Sequence, residues 1–65
     1  MEPDHYLLAF FEYEHLPDHL KQVSKPFHDL AWKVWKDRSD KHPYEVTAGL
    51  RKLLEAKDCI VRSFI

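Results

Sequence analysis

Apolar residues recur along the C-terminal third of the chain at helical spacing: Val46, Leu50, Leu53, Ile60 and Phe64 step by four and three, so the pattern predicts one amphipathic α-helix over Pro43–Ile65. Lys57 occupies the position in that series where an apolar side chain is expected, and an ammonium there must find a partner or reach water. Gly49, Ala56 and Ser63, spaced by seven, place small side chains along the flank of the seam, where a second helix or a ligand can approach the backbone. Gly49 is the only glycine of the chain and costs a helix about 1 kcal/mol relative to alanine, so its presence calls for a packing or binding reason.

A second seam precedes the first. Leu16, Leu20, Val23, Phe27, Leu30 and Val34 repeat as four, three, four, three, four, widened by Ala31 and Trp35, and predict a long helix starting at Pro17 with Asp18 in its first turn. Pro26 falls inside it. Proline removes the amide that would reach the carbonyl of Gln22, so the expectation is a kink near Ser24–Lys25 or a helix in two pieces. Between the seams, the polar run Lys36–His42 reads as a connection, with Ser39 or Asp40 as the cap of the following helix. A connection this short makes the helices antiparallel neighbours. Within the last helix, Arg51 and Glu55, and Asp58 and Arg62, stand four apart as ion-pair candidates on a solvated face.

At the N-terminus, Tyr6, Leu7, Leu8, Ala9, Phe10 and Phe11 form a short apolar run bounded by acids. It reads either as a short helix begun by Pro3 and Asp4, with Leu7, Phe10 and Phe11 on one face, or as an extended arm that docks on a neighbouring subunit. The fold class expected is therefore all-α. Residues 1–65 make a single domain: a hairpin of two long antiparallel helices, the first kinked at a proline, with a short aromatic segment ahead of it.

Composition adds one constraint. A chain of 65 residues buries a small fraction of its surface, yet aromatics make up 14% of this one, more apolar area than two helices can hide between themselves. Homo-oligomerisation is the expected remedy, because the single cysteine, Cys59, allows no intrachain disulfide and no Cys and His cluster has finger-like spacing. Cys59, beside Ile60, reads as a small core residue. Nothing approaches 18 consecutive apolar residues and no charged n-region precedes an apolar run, so neither a signal peptide nor a membrane span is expected, and the chain reads as soluble and cytoplasmic.

Ten Lys and Arg against eleven Asp and Glu disfavour duplex nucleic acid as a partner, whereas a small anion needs only two or three local cations. The common catalytic motifs are missing: there is no G-x-x-x-x-G-K, no H-E-x-x-H and no nucleophile elbow. His15 and His19 are four apart but lack a third ligand at a workable spacing, so no metal and no cofactor is assigned. The chain is read as a binding protein and not an enzyme.

His15-Leu16-Pro17 with His19-Leu20, Ser24-Lys25-Pro26-Phe27 with Leu30-Ala31, and Leu50-Arg51-Lys52-Leu53-Leu54-Glu55-Ala56-Lys57-Asp58 with Val61-Arg62-Ser63 resemble a set of very small phage proteins. These are similar in turn to the phage anti-CBASS sponge family, and the resemblance spans Tyr13 to Ser63. It implies a helical hairpin assembled into a homo-oligomer, a hexamer, that sequesters cyclic dinucleotides or trinucleotides in the host cell cytoplasm without cleaving them. It further implies that an aromatic ahead of the first long helix stacks on a base; Tyr13 occupies that place, with Phe11 the less exact match. A lysine on that helix meets phosphate: His28 stands at the corresponding position and Lys25 one turn earlier. Arg51 and Arg62 match arginines near the two ends of the last helix, and Lys57 is a further cation on the same helix. Independently of the resemblance, exposed aromatics offer a stacking face to a purine, and Lys and Arg offer charge-assisted contacts to phosphate. Two other classes fit the same text: a helical protein–protein interaction module, and a small transcription factor, the latter opposed by the neutral charge.

Overall fold

The computed structural model describes residues 6–65. Pro3 and Asp4, the expected helix start, lie outside the described residues. A 3-10 helix, Tyr6–Phe11, leads into two long α-helices, α1 over Asp18–Arg38 and α2 over Pro43–Arg62, and no strand occurs among the described residues. The two long helices pack together, and the 3-10 helix packs against both. None of these helices is long and apolar enough to cross a membrane.

The helix ends follow local chemistry. Asp18 sits in the first turn of α1, Lys36 and Arg38 in its last, and Glu45 and Arg62 hold the corresponding places in α2, each with the sign that suits the helix dipole. Neither Ser39 nor Asp40 caps α2. Ser39 closes α1, its amide donating to the Trp35 carbonyl at 3.1 Å, and the residue before α2 is His42, with no side-chain cap. Pro43 at the first helical position explains why: it has no amide to satisfy and its φ is already helical. α1 also runs unbroken through Pro26 rather than splitting. Pro26 and Gln22 are both exposed, so the carbonyl that proline leaves without a partner is on the side where water takes it up.

The core lies where the three elements meet. Leu7, Leu8 and Phe11 from the 3-10 helix, Ala31 from α1, and Val46 and Leu50 from α2 form one buried cluster, with Phe27, Trp32, Val34, Trp35, Leu53 and Leu54 packed around it. Phe11 is 0% exposed and is the largest fully buried side chain. Its burial settles the role of the aromatic segment within this chain, as a third element of the core and not an extended arm. On α1 the buried face runs through Leu20, Ser24 and Ala31, turned slightly from the expected seam, and this turns Leu30 outward to 47% exposure. Two of those three side chains are small, which brings α1 close to its neighbours. On α2 the expected seam is buried at Val46 and Leu50 and half-buried at Leu53, but Ile60 and Phe64 are exposed. Cys59 is likewise exposed rather than part of the core.

Lys57 resolves its place in the apolar seam by donating from Nζ to the carbonyl oxygen of Phe10 at 2.7 Å. The same ammonium is 5.9 Å from the centre of the Phe11 ring and 3.6 Å from Asp58, and its side chain keeps only 12% of its exposure. One cation thus ties the end of the 3-10 helix to α2 while its stem covers apolar surface.

Truncating the wedge tests this arrangement: Phe11→Ala should cost about 3–5 kcal/mol in urea unfolding, whereas Leu30→Ala should stay within about 0.5–1 kcal/mol. At Gly49 a Cβ meets nothing within 4 Å, so Gly49→Ala should stabilise the folded chain by about 1 kcal/mol in the same assay.

Candidate functional site

Three of the sequence-derived candidates are brought together on one face. Tyr13, just after the 3-10 helix, directs its ring to the imidazole of His28 on α1, the centres 5.0 Å apart and the planes at 69°, an edge-to-face contact. Lys25, one turn earlier on α1, places its Nζ 6.0 Å from the centre of the same tyrosine ring. Trp32 extends the group on the other side of His28, its ring 6.3 Å away. Helical spacing accounts for the alignment of Lys25, His28 and Trp32, which stand at intervals of three and four. Tyr13 is held over them by a local turn in which the Leu16 amide donates to the Tyr13 carbonyl at 3.1 Å. A cavity of about 300 Å3 is bounded by Tyr13, His28, Glu12 and Glu14.

Asp29 organises the charge of this face. It accepts from Lys25 Nζ at 2.8 Å through one oxygen and lies 3.0 Å from His28 Nδ1 through the other. The hydrogen bond and charge of Asp29 raise the Lys25 pKa above its ordinary value, and those same contacts, Lys25 first and His28 second, lower that of Asp29. Sequence reasoning missed Asp29, although its place four residues after Lys25 was a legible signal.

The remaining candidates lie apart. Phe11, a candidate for stacking on a base, is fully buried and unavailable to a ligand, because the short chain needs its ring in the core. Arg51 donates from Nη2 to the Tyr6 hydroxyl at 3.0 Å instead of pairing with Glu55, so it ties α2 to the start of the 3-10 helix. Arg62 makes a 3.4 Å contact with Cys59 Sγ, while Asp58 faces Lys57. Lys57 and Arg62 border a different cavity, beside Ser24. His15 precedes α1, so His15 and His19 do not share a helical face, and no group of three His, Cys, Asp or Glu among the described residues is placed to hold a metal ion.

No family model matches the chain, and neither the curated proteins nor the solved structures contain one that is similar to it. What the Tyr13 face offers is a ring beside two basic side chains, suited to a flat aromatic group carrying negative charge.

The charge arrangement has a defined pH signature. Asp29, with its lowered pKa, contributes stability that is present above about pH 4, the ordinary carboxylate range, and is lost as pH falls through its folded value. Lys25, with its raised pKa, contributes stability that is present below its ordinary value of 10.5 and is lost as pH rises through the folded one. Asp29→Asn should return the Lys25 pKa, followed by NMR at the side-chain ε carbon, toward 10.5; an unchanged value would remove Asp29 as its cause.

Proposed function

We propose that this chain is the subunit of a homo-oligomer, a hexamer of antiparallel helical hairpins, that binds and sequesters cyclic dinucleotides or trinucleotides without cleaving them. In the setting that its sequence resemblance suggests, it acts as a phage sponge in the host cytoplasm and lowers the concentration of the signals that drive CBASS defence. The observation that carries the reading is the convergence of Tyr13, Lys25 and His28, an aromatic ring with two basic groups within 6.0 Å of it. A purine would stack at Tyr13 while phosphate took the place of Asp29 on Lys25 and His28. An exposed ion pair such as Lys25–Asp29 is a weak competitor for such an exchange.

Assembly is supported by what the three elements leave uncovered. Leu30 on α1, Ile60 on α2, and Phe10 and Phe64 beyond them remain substantially exposed, and so does the flank at Gly49. Packing of subunits would cover such surface and bring Arg51 and Arg62 of neighbouring copies toward the ligand. The same exposed apolar residues support a second reading, a helical interaction module whose partner is another protein and which has no small-molecule ligand.

Calorimetric titration with a cyclic dinucleotide separates the two. On the sponge reading Tyr13→Ala weakens binding by about tenfold to a hundredfold, since stacking of a base is worth about 1–3 kcal/mol, and leaves the salt dependence unchanged. Lys25→Ala instead flattens the salt dependence, and the bound nucleotide is recovered intact by chromatography after denaturation. Absence of binding, or recovery of linear products, would defeat this reading.

A further inference from the structure

On α1, Lys25, Asp29, Trp32 and Lys36 follow one another at intervals of four, three and four, so they share one face of the helix. His28 adjoins this face and stands between two aromatic rings: its ring centre is 5.0 Å from that of Tyr13 and 6.3 Å from that of Trp32. Each of the two rings lines a cavity of its own, of about 300 Å3 at Tyr13 and about 290 Å3 at Trp32. Trp32 is half-buried and packed against the core, which fixes it in place, yet it still borders the second cavity.

The two cavities differ in charge. Beside Tyr13 the other lining residues are Glu12, Glu14 and His28. Carboxylates repel phosphate, but they accept hydrogen bonds from N–H groups such as those on the edge of a guanine. Beside Trp32 lie Asp29, Lys33, Lys36 and Asp37. Both carboxylates there are engaged, Asp29 by Lys25 at 2.8 Å and Asp37 by Lys33 at 3.0 Å. Lys36 is exposed and forms no hydrogen bond or salt bridge among the described residues, its charge reaching Asp37 only at longer range. A nucleotide with a single base, stacked at Tyr13, leaves this second ring and this cation without a role.

We infer that the nucleotide site holds two bases, one stacked on Tyr13 and the other on Trp32, with the linking phosphates crossing His28 between Lys25 and Lys36. The inference rests on the nucleotide reading above and narrows it, because two aromatic platforms on one helix face suit a cyclic dinucleotide. Trp32 and Lys36 join the site as ligand-binding residues.

Calorimetric titration of the full chain with cyclic di-GMP, and with its one-base half 3′,5′-cyclic GMP, tests this. The dinucleotide should bind at least about tenfold more tightly, since the half ligand reaches one platform only. Trp32→Leu keeps an apolar group against the core but offers no ring, and should weaken cyclic di-GMP binding by about tenfold or more. Trp32→Phe restores a stacking face and should bring affinity back to within about threefold of wild type. Lys36→Gln should flatten the salt dependence of cyclic di-GMP binding. The inference is overturned if Trp32→Leu binds as tightly as wild type, if Trp32→Phe loses as much as Trp32→Leu, or if cyclic GMP binds as tightly as cyclic di-GMP. In each of those cases binding by the wild type still upholds the Tyr13 reading, whereas failure of the wild type to bind cyclic di-GMP defeats both.

Discussion

Two helices of about twenty residues cannot enclose a core by themselves, and the way this chain escapes that limit determines everything else about it. The Tyr6–Phe11 turn inserts Leu7, Leu8 and Phe11 into the groove where Ala31, Val46 and Leu50 meet. Lys57 then fixes the end of that turn through the Phe10 carbonyl. A lysine in an apolar seam usually weakens a helix pair. Here its buried stem, its position by the Phe11 ring and its hydrogen bond to the main chain make it the joint between the N-terminal segment and α2. Arg51 makes a parallel connection through the Tyr6 hydroxyl, so the segment is held to α2 at both ends.

That insertion also positions the candidate site. Because Phe11 is anchored in the core, Tyr13, two residues further on, emerges beside α1 at the level of Lys25 and His28. Only Glu12 separates the aromatic that packs from the aromatic proposed to meet a ligand. Asp29 holds the two basic groups in place through short contacts that a phosphate could replace, which suits a site that must be ordered before its ligand arrives. The Ser24 cavity arises from the same insertion, since the 3-10 helix forms one wall and the end of α2 another.

Much of this was legible in the residues, and the failures have physical reasons. Apolar spacing located both long helices, and Pro43 marked the start of α2. Periodicity alone could not tell which edge of the α1 seam is buried: a third element widened the face through Ser24 and Ala31 and turned Leu30 outward. Of the two outcomes that Pro26 allows, a kink or a break, the break does not occur, since α1 runs continuously from Asp18 to Arg38. Phe11, the less exact match to the family's stacking aromatic, is taken by the core, and Cys59, which beside Ile60 reads as a core residue, is exposed. The resemblance groups Tyr13 with Lys25 or His28, and the structure sets the Tyr13 ring centre 5.0 Å from that of His28 and 6.0 Å from Lys25 Nζ.

The account stands most directly on whether the Tyr13 face receives a nucleotide base. Ring-proton NMR of the full chain during addition of a cyclic dinucleotide reads this without any substitution, because a stacked purine shifts the resonances of the ring it covers. The account predicts saturable upfield shifts of the Tyr13 ring protons, accompanied by shifts at His28 and the Lys25 side chain, with Phe11 in the core unaffected. Saturable shifts located elsewhere, or none at all, would contradict it.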